Sequence, residues 1–250
     1  MNNEEFLNSL KILGIEVTNK ELSKFEKYKD LLKEYNQKFN LTSITNDLDI
    51  YLKHFYDSLC LFKIKEVKEK NENVEETKEV KEKKTLLDIG TGAGFPGIPL
   101  AIINSDLKVY LLESNTKKCE FLKIVKQELN LNNIEVINSR AEDFIKTHKE
   151  EFDLATSRAV SHLKILSELE IPALKINGLF IPLKSHYEEE LKETEPFLKT
   201  LNSELTEIIT YTLPIENSKR TILKITKQKT TPSIYPRNYS QIKKSLNKKQ

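Results

Sequence analysis

The sequence predicts an α/β fold, a mostly parallel sheet with helices on both faces, preceded by a small helical subdomain. Three observations predict it. From Thr85 onward, short apolar runs alternate with amphipathic stretches at βαβ spacing. Four of the chain's six glycines fall within residues 90–97, directly after the first of those runs. Upstream of Thr85 the apolar residues recur at steps of three and four instead.

The N-terminal subdomain (residues 1–62) reads as three helices. Residues 4–13 and 21–39 carry the helical period, the second through Leu22, Phe25, Tyr28, Leu31, Leu32 and Tyr35. Asn46 and Asp47 can cap a third helix running through Ile50, Leu52, Phe55, Leu59 and Phe62. The aromatic stripe reads as core. Residues 63–84 change character, with Glu-Val-Lys-Glu-Lys at 66–70 and again at 79–83 among few apolar anchors. Such a segment cannot bury enough surface to offset its ordering entropy, so a solvated helix or flexible linker without chemistry is expected.

Residues 85–230 supply the sheet. Strands are expected at 86–89, 109–112, 134–137, 152–155 and 179–184. Helices fall between them, one to 104, then 116–129, 141–148 and 163–175. After a helix near 188–201, residues 205–211 and 220–226 read as an antiparallel pair, and 231–250 form a basic tail.

Composition sets outer bounds. With 250 residues, 38% hydrophobic and 31% charged, the chain suits a soluble globular protein with solvated charged segments. No apolar run approaches the roughly 18 residues of a membrane span, and Met-Asn-Asn-Glu-Glu lacks the features of a signal peptide. No membrane association is therefore expected. Cys60 and Cys119 are expected to be free buried thiols in a reducing cytoplasm. The net charge of +2 hides an asymmetry. Ten basic residues and no acid lie between Asn217 and Gln250, leaving about −8 on the first 216. A basic end on an acidic body suggests a polyanion partner.

Thr85-Leu-Leu-Asp-Ile-Gly-Thr-Gly-Ala-Gly-Phe-Pro-Gly97 is a strand delivered into a glycine turn where backbone must pass close to a ligand. Pro96 and Pro99 sit where a first helical turn tolerates missing N–H groups. Two nucleotide chemistries use such a turn. Gly92-Ala-Gly-Phe-Pro-Gly97 satisfies the dinucleotide pattern, whereas Asp88-x-Gly90-x-Gly92-x-Gly94 suits S-adenosylmethionine. Pro96 removes a donor just where a pyrophosphate would sit, and S-adenosylmethionine has no phosphate to miss it. A purely structural turn is the third reading. The next strand ends in Glu113, a carboxylate able to accept from both ribose hydroxyls. Gly90, Glu113, Arg140-Ala-Glu142 and Ser157-Arg158 all lie at carboxyl ends of strands, where open α/β sheets bind ligands.

With these residues in place, the chain resembles the GidB family, the ribosomal small subunit methyltransferase G enzymes. The resemblance rests on Tyr35-Asn-Gln-Lys-Phe-Asn-Leu-Thr-Ser43, Lys53-His-Phe-Tyr-Asp-Ser-Leu59 and Leu87-Asp-Ile-Gly-Thr-Gly-Ala-Gly-Phe-Pro-Gly-Ile-Pro-Leu100. It continues through Leu112-Glu-Ser-Asn-Thr-Lys-Lys118, Ser139-Arg-Ala-Glu-Asp143, Thr156-Ser-Arg-Ala159 and Tyr235-Pro-Arg237. It implies a class I S-adenosylmethionine-dependent methyltransferase, Rossmann-like with a seven-stranded sheet and an N-terminal helical cap. The implied reaction is N7 methylation of one guanosine in the decoding-region loop of 16S rRNA. The implied partner is 16S rRNA or the small ribosomal subunit, with the chain acting as a monomer. Carried over by position, the donor contacts are Gly90, Phe95, Glu113, Ser114, Asn115, Ala141, Glu142 and Arg158, joined by Gly92 and Gly94 of the glycine loop. Tyr35, Lys53 and Ser185 depart from the residues many members carry.

Guanine N7 is already a lone-pair nucleophile, so no catalytic base is assigned. Arg158 can hold the donor's carboxylate or an RNA phosphate. His54 can pair with Asp57 on its helix or touch substrate. Lys38, Lys53, Lys184 and Arg237 are candidate phosphate contacts. His148, His162 and His186 are scattered without ligand spacing, so no metal is assigned. A nicotinamide oxidoreductase and a non-catalytic RNA-binding module stay open as alternatives.

Overall fold

Capping chemistry sets the first two helices. Asn2 and Glu5 form a reciprocal capping box at α1 (Asn3–Ile12), as Thr18 and Glu21 do at α2 (Asn19–Phe39). α2 stops at Asn40, whose left-handed backbone (φ 49°) turns the chain out of the helix. The computed structural model describes residues 1–69 and 82–246; residues 70–81 of the charged segment and the last four residues lie outside them.

The expected third helix is a continuous helical run over 47–63 whose pitch changes along its length. Asn46 caps α3 (Asp47–Asp49), Ile50–Tyr56 is π-helical, α4 (Asp57–Leu59) follows, and Cys60–Lys63 tightens to 3-10. The wide π turn buries six of its seven residues, all but Lys53. Single π turns tend to occur at functional sites. The start of the charged segment departs from expectation. α5 (Lys65–Lys68) docks on the body: Ile64 and Val67 are buried, and Asn104 donates its amide to the Val67 carbonyl.

The sheet follows the βαβ reading through β1 (Lys84–Ile89), α6 (Gly97–Ile103), β2 (Leu107–Glu113), α7 (Thr116–Glu128), β3 (Ile134–Asn138), α8 (Ala141–Thr147) and β4 (Phe152–Thr156). The fifth strand is a correction. Pro172 lacks an N–H, so α9 (Leu163–Glu170) ends early in a 3-10 turn over Ile171–Ala173, and β5 (Leu174–Phe180) starts well before the expected residue 179. Pro182 then interrupts the ladder, and β6 (Leu183–Lys184) resumes as a separate two-residue strand. Among the described residues the sheet therefore has eight strands rather than seven. After α10 (Glu188–Thr200), β7 (Ser203–Thr212) and β8 (Lys219–Lys227) form the expected antiparallel pair. Strand order is 3-2-1-4-5-8-6, with β7 also on β8. The first five strands are mutually parallel, and β8 runs against its neighbours. Order reverses between β1 and β4, so a crevice opens beyond their carboxyl ends.

Two apolar cores flank the sheet. One joins the N-terminal helices to α6, α7 and one sheet face, with Phe6, Phe25, Tyr28, Phe55 and Phe95 packed together. The aromatic stripe of α2 is core, as its period suggests. The other core lies under α8, α9, α10 and α11 (Tyr239–Leu246), where Ile242 is buried. The C-terminal stretch is thus partly a docked helix and not a free tail. Cys60 and Cys119 are free and buried. No helix among the described residues is long and apolar enough to cross a membrane.

Candidate active site

Asp88, at the end of β1, shapes the glycine turn. Its Oδ2 accepts from the Thr91 hydroxyl at 2.7 Å and from the Gly97 N–H at 2.8 Å. Full burial pushes this carboxyl up to about 6 despite both bonds. The glycines then divide by what they face. Gly92 (φ 62°) opens onto a cleft, with nothing nearer than 3.9 Å to a Cβ built on it. Gly94 (φ 103°) instead faces the helical cap and α6, where a Cβ would lie 2.7 Å from the Tyr28 hydroxyl and would strike Ile98. Gly94 thus meets the cap and not the cleft, because Tyr28 reaches over to donate to the Ala93 carbonyl.

The cleft measures about 970 Å³ and lies at the β1–β4 switch point. Gly90, Gly92, Phe95, Glu113, Ser114 and Arg158, six of the residues expected to contact the donor, line it. The Glu113 carboxylate accepts from Gly92 N–H (3.1 Å) and Asn115 N–H (2.8 Å), which fixes its position and leaves lone pairs for a ligand. Asn115 itself turns away; its side chain caps α7 by accepting from Lys118 N–H. Ala141 and Glu142 line an adjoining cavity of about 130 Å³ with Ile89 and Leu112. Gly90, Ser114 and Val160 border both spaces, so one ligand can span them.

Across the cleft, the π turn delivers His54 against the glycine turn. Its ring stacks on Phe95 at 4.4 Å and 13°. The expected His54–Asp57 pair does not form. Asp57 instead accepts from Arg158 at 3.2 Å and from the Tyr211 hydroxyl at 2.7 Å, with Arg220 at 4.0 Å. Arg158 also donates to the Lys53 carbonyl and to His54 Nδ1, and its guanidinium lies over Phe95. Burial, then the Arg158 charge, push His54 from an ordinary 6.5 down to about 3. The folded state therefore prefers neutral His54. Its contribution is complete above pH 6.5 and lost as pH falls toward 3, at about 1.4 kcal/mol per unit. Urea unfolding at pH 7.5 and pH 5 should show wild type losing roughly 2 kcal/mol more than His54→Gln. Parallel losses would refute the assignment.

The candidate phosphate contacts fare unevenly. Lys53 lines the cleft but pairs with Glu216 (2.5 Å) and Asp49 (3.3 Å). Lys184 lines it too, held by Glu190 at 2.6 Å and the Ser161 carbonyl. Lys38 is exposed on α2 over the Tyr35 ring, away from the cleft. Arg237 is a correction. Its guanidinium and backbone N–H are engaged by Glu168, a fully buried carboxylate that needs this cation. Lys227 is likewise buried on Glu150, and Lys224 pairs with Glu66, so three of the basic C-terminal residues are engaged by carboxylates of the body. Thr42, Tyr211 and Arg220 carry no signal in the sequence that marks them as site residues. Thr42 and Arg220 line the cleft with Asp57, and Tyr211 supports Asp57 from behind. Among the described residues no group of three or more His, Cys, Asp or Glu could hold a metal ion.

Known proteins are similar in sequence to this chain along nearly its whole length. A ribosomal RNA small subunit methyltransferase G of Clostridium botulinum (strain Alaska E43 / Type E3) is 43% identical over 235 residues, 93% of each chain. The protein of that name from Fusobacterium nucleatum is 42% identical over 232 residues, 93% of this chain and 94% of its own. That from Bacillus subtilis (strain 168) is 41% identical over 240 residues, 95% of each. The family model GidB, rRNA small subunit methyltransferase G, matches residues 21–219, and the chain belongs to that family.

Proposed function

We propose that the chain transfers a methyl group from S-adenosylmethionine to N7 of a guanosine in the decoding-region loop of 16S rRNA, acting as a cytoplasmic monomer. Family membership over residues 21–219 carries this reading. The site supports it. Gly92 leaves open space in which a ligand can approach the main chain, Glu113 offers a fixed carboxylate for ribose hydroxyls, and the apolar cavity beside Ala141 and Glu142 suits a flat base. When bound, S-adenosylmethionine supplies an electrophilic methyl on a sulfonium, and guanine N7 brings its own lone pair, so no general base is required.

The chain's contribution is then alignment, which can supply up to about 7–11 kcal/mol. Phe95, stacked between His54 and Tyr28, holds the glycine turn against the cap. The residues after β4 are Ser157-Arg158-Ala159, without the Pro-Pro-aromatic clamp of exocyclic-amine methyltransferases. Both cysteines are buried and neither lines the cleft, so a cytosine C5 nucleophile is missing from it. Pro96, the N-cap of α6, has no N–H to offer a dinucleotide phosphate. Borohydride–aniline cleavage of 16S rRNA, read by primer extension, should disappear in a deletion strain and return with the gene. Unchanged cleavage would sink the proposal. Labelled methyl transfer to small subunits from the deletion strain excludes a non-catalytic module.

A further inference from the structure

Thr42 is fixed on every side but one. Asn36 accepts its backbone N–H at 2.9 Å and donates to its carbonyl at 2.9 Å. Its hydroxyl oxygen accepts the Ile44 N–H at 3.0 Å and lies 2.9 Å from His54 Nε2. The direction of that last bond follows from Arg158. A guanidinium has donors only, so His54 Nδ1, 3.2 Å from Arg158, must present its lone pair. The neutral ring then carries its proton on Nε2 and donates to Thr42. Both lone pairs of the Thr42 hydroxyl are consumed, and its one remaining capacity is to donate. Thr42 lines the cleft beside His54, Phe95 and Gly90.

The geometry points to Thr42 as a specificity-determining residue whose hydroxyl donates to O6 of the target guanine. This rests on the guanine-N7 reading above. Guanine presents two adjacent acceptors, N7 and O6, on one edge, whereas adenine places an amino donor beside N7. A hydroxyl able only to donate accepts the first edge and repels the second. It also leaves N7 free, because the bond goes to the neighbouring oxygen. The chain Asp57–Arg158–His54–Thr42 sets the hydroxyl's polarity, with an acceptor-only carboxylate at one end and a committed donor at the other.

The test uses small subunits reconstituted with 16S rRNA carrying guanosine or 2-aminopurine at the target position; 2-aminopurine keeps N7 and lacks O6. Wild type should prefer guanosine, and T42V should reduce that kcat/KM ratio roughly 10- to 100-fold. T42S, which keeps the hydroxyl, should hold the ratio within about threefold, and calorimetric affinity of T42V for S-adenosylhomocysteine should also stay within about threefold. A T42V loss equal for both bases would mean a structural role and overturn the inference. So would a tenfold loss of S-adenosylhomocysteine affinity with an unchanged ratio, which would assign the hydroxyl to the donor. Failure of the wild type to generate borohydride–aniline cleavage at the guanosine would take down the guanine-N7 reading as well. Cleavage with an unaltered T42V ratio would take down this inference alone.

Discussion

A Gly92→Asp variant is expected to lose at least about 100-fold in affinity for S-adenosylhomocysteine while remaining folded. Gly92 sits at φ 62°, a region aspartate enters at a cost of roughly 1–2 kcal/mol. Its missing Cβ points into open cleft, so the new side chain meets no protein atom and the fold tolerates it. The carboxylate would instead occupy ligand space, beside Glu113, which already accepts from the Gly92 N–H at 3.1 Å. Repulsion between the two carboxylates displaces Glu113 from the position in which it would meet the ribose, and losing hydrogen bonds to that charged acceptor costs about 1.5–3 kcal/mol, roughly a factor of 10–100 before any steric exclusion. Titration calorimetry reads the affinity and a melting curve reads the fold. Affinity within threefold of wild type would remove Gly92 from the donor site. Gly94→Ala should behave oppositely, because its Cβ strikes Tyr28 and Ile98 and stability falls instead.

That contrast marks how far the sequence could be read. The glycine turn, the strand before it and Glu113 were legible because they are local: a run of apolar residues, a break, a carboxylate at the strand's end. Which glycine faced ligand and which faced the cap was not, since Tyr28 lies 65 residues from its Ala93 partner. The fifth strand was misplaced although Pro172 was visible, because the apolar run on either side satisfied both periods. The π turn at Ile50–Tyr56 leaves no periodic trace; a one-residue change of pitch over two turns looks like noise. Charge was legible and its partner was not. Arg237 read as a free cation, yet Glu168, a carboxylate on the apolar face of α9, was itself a sign that some cation had to reach it.

Asp57 concentrates the same lesson, and its removal is expected to give the largest loss of stability among cleft residues. The spacing to His54 suggested a local pair, whereas its real partners come from 101 and 154 residues away. Asp57→Ala would leave the Arg158 guanidinium, 14% exposed, without its carboxylate, and the buried Tyr211 hydroxyl without an acceptor. Breaking such a pair costs about 3–5 kcal/mol, a fall in Tm of roughly 6–20 °C for a chain of this size. Asp57→Asn separates two contributions. It keeps an acceptor for Tyr211, whose proton is held firmly by burial and by the Asp57 charge, so less stability is lost. It discards the charge that fixes Arg158, and with it the orientation of His54 above Phe95. Methyl transfer should therefore drop further in Asp57→Asn than its melting temperature suggests. A calorimetric Tm for Asp57→Ala within 2 °C of wild type would mean that water replaces the carboxylate. The cap would then stay on the sheet through its aromatic packing and the Tyr28–Ala93 bond, and Arg158 would be free to follow the ligand.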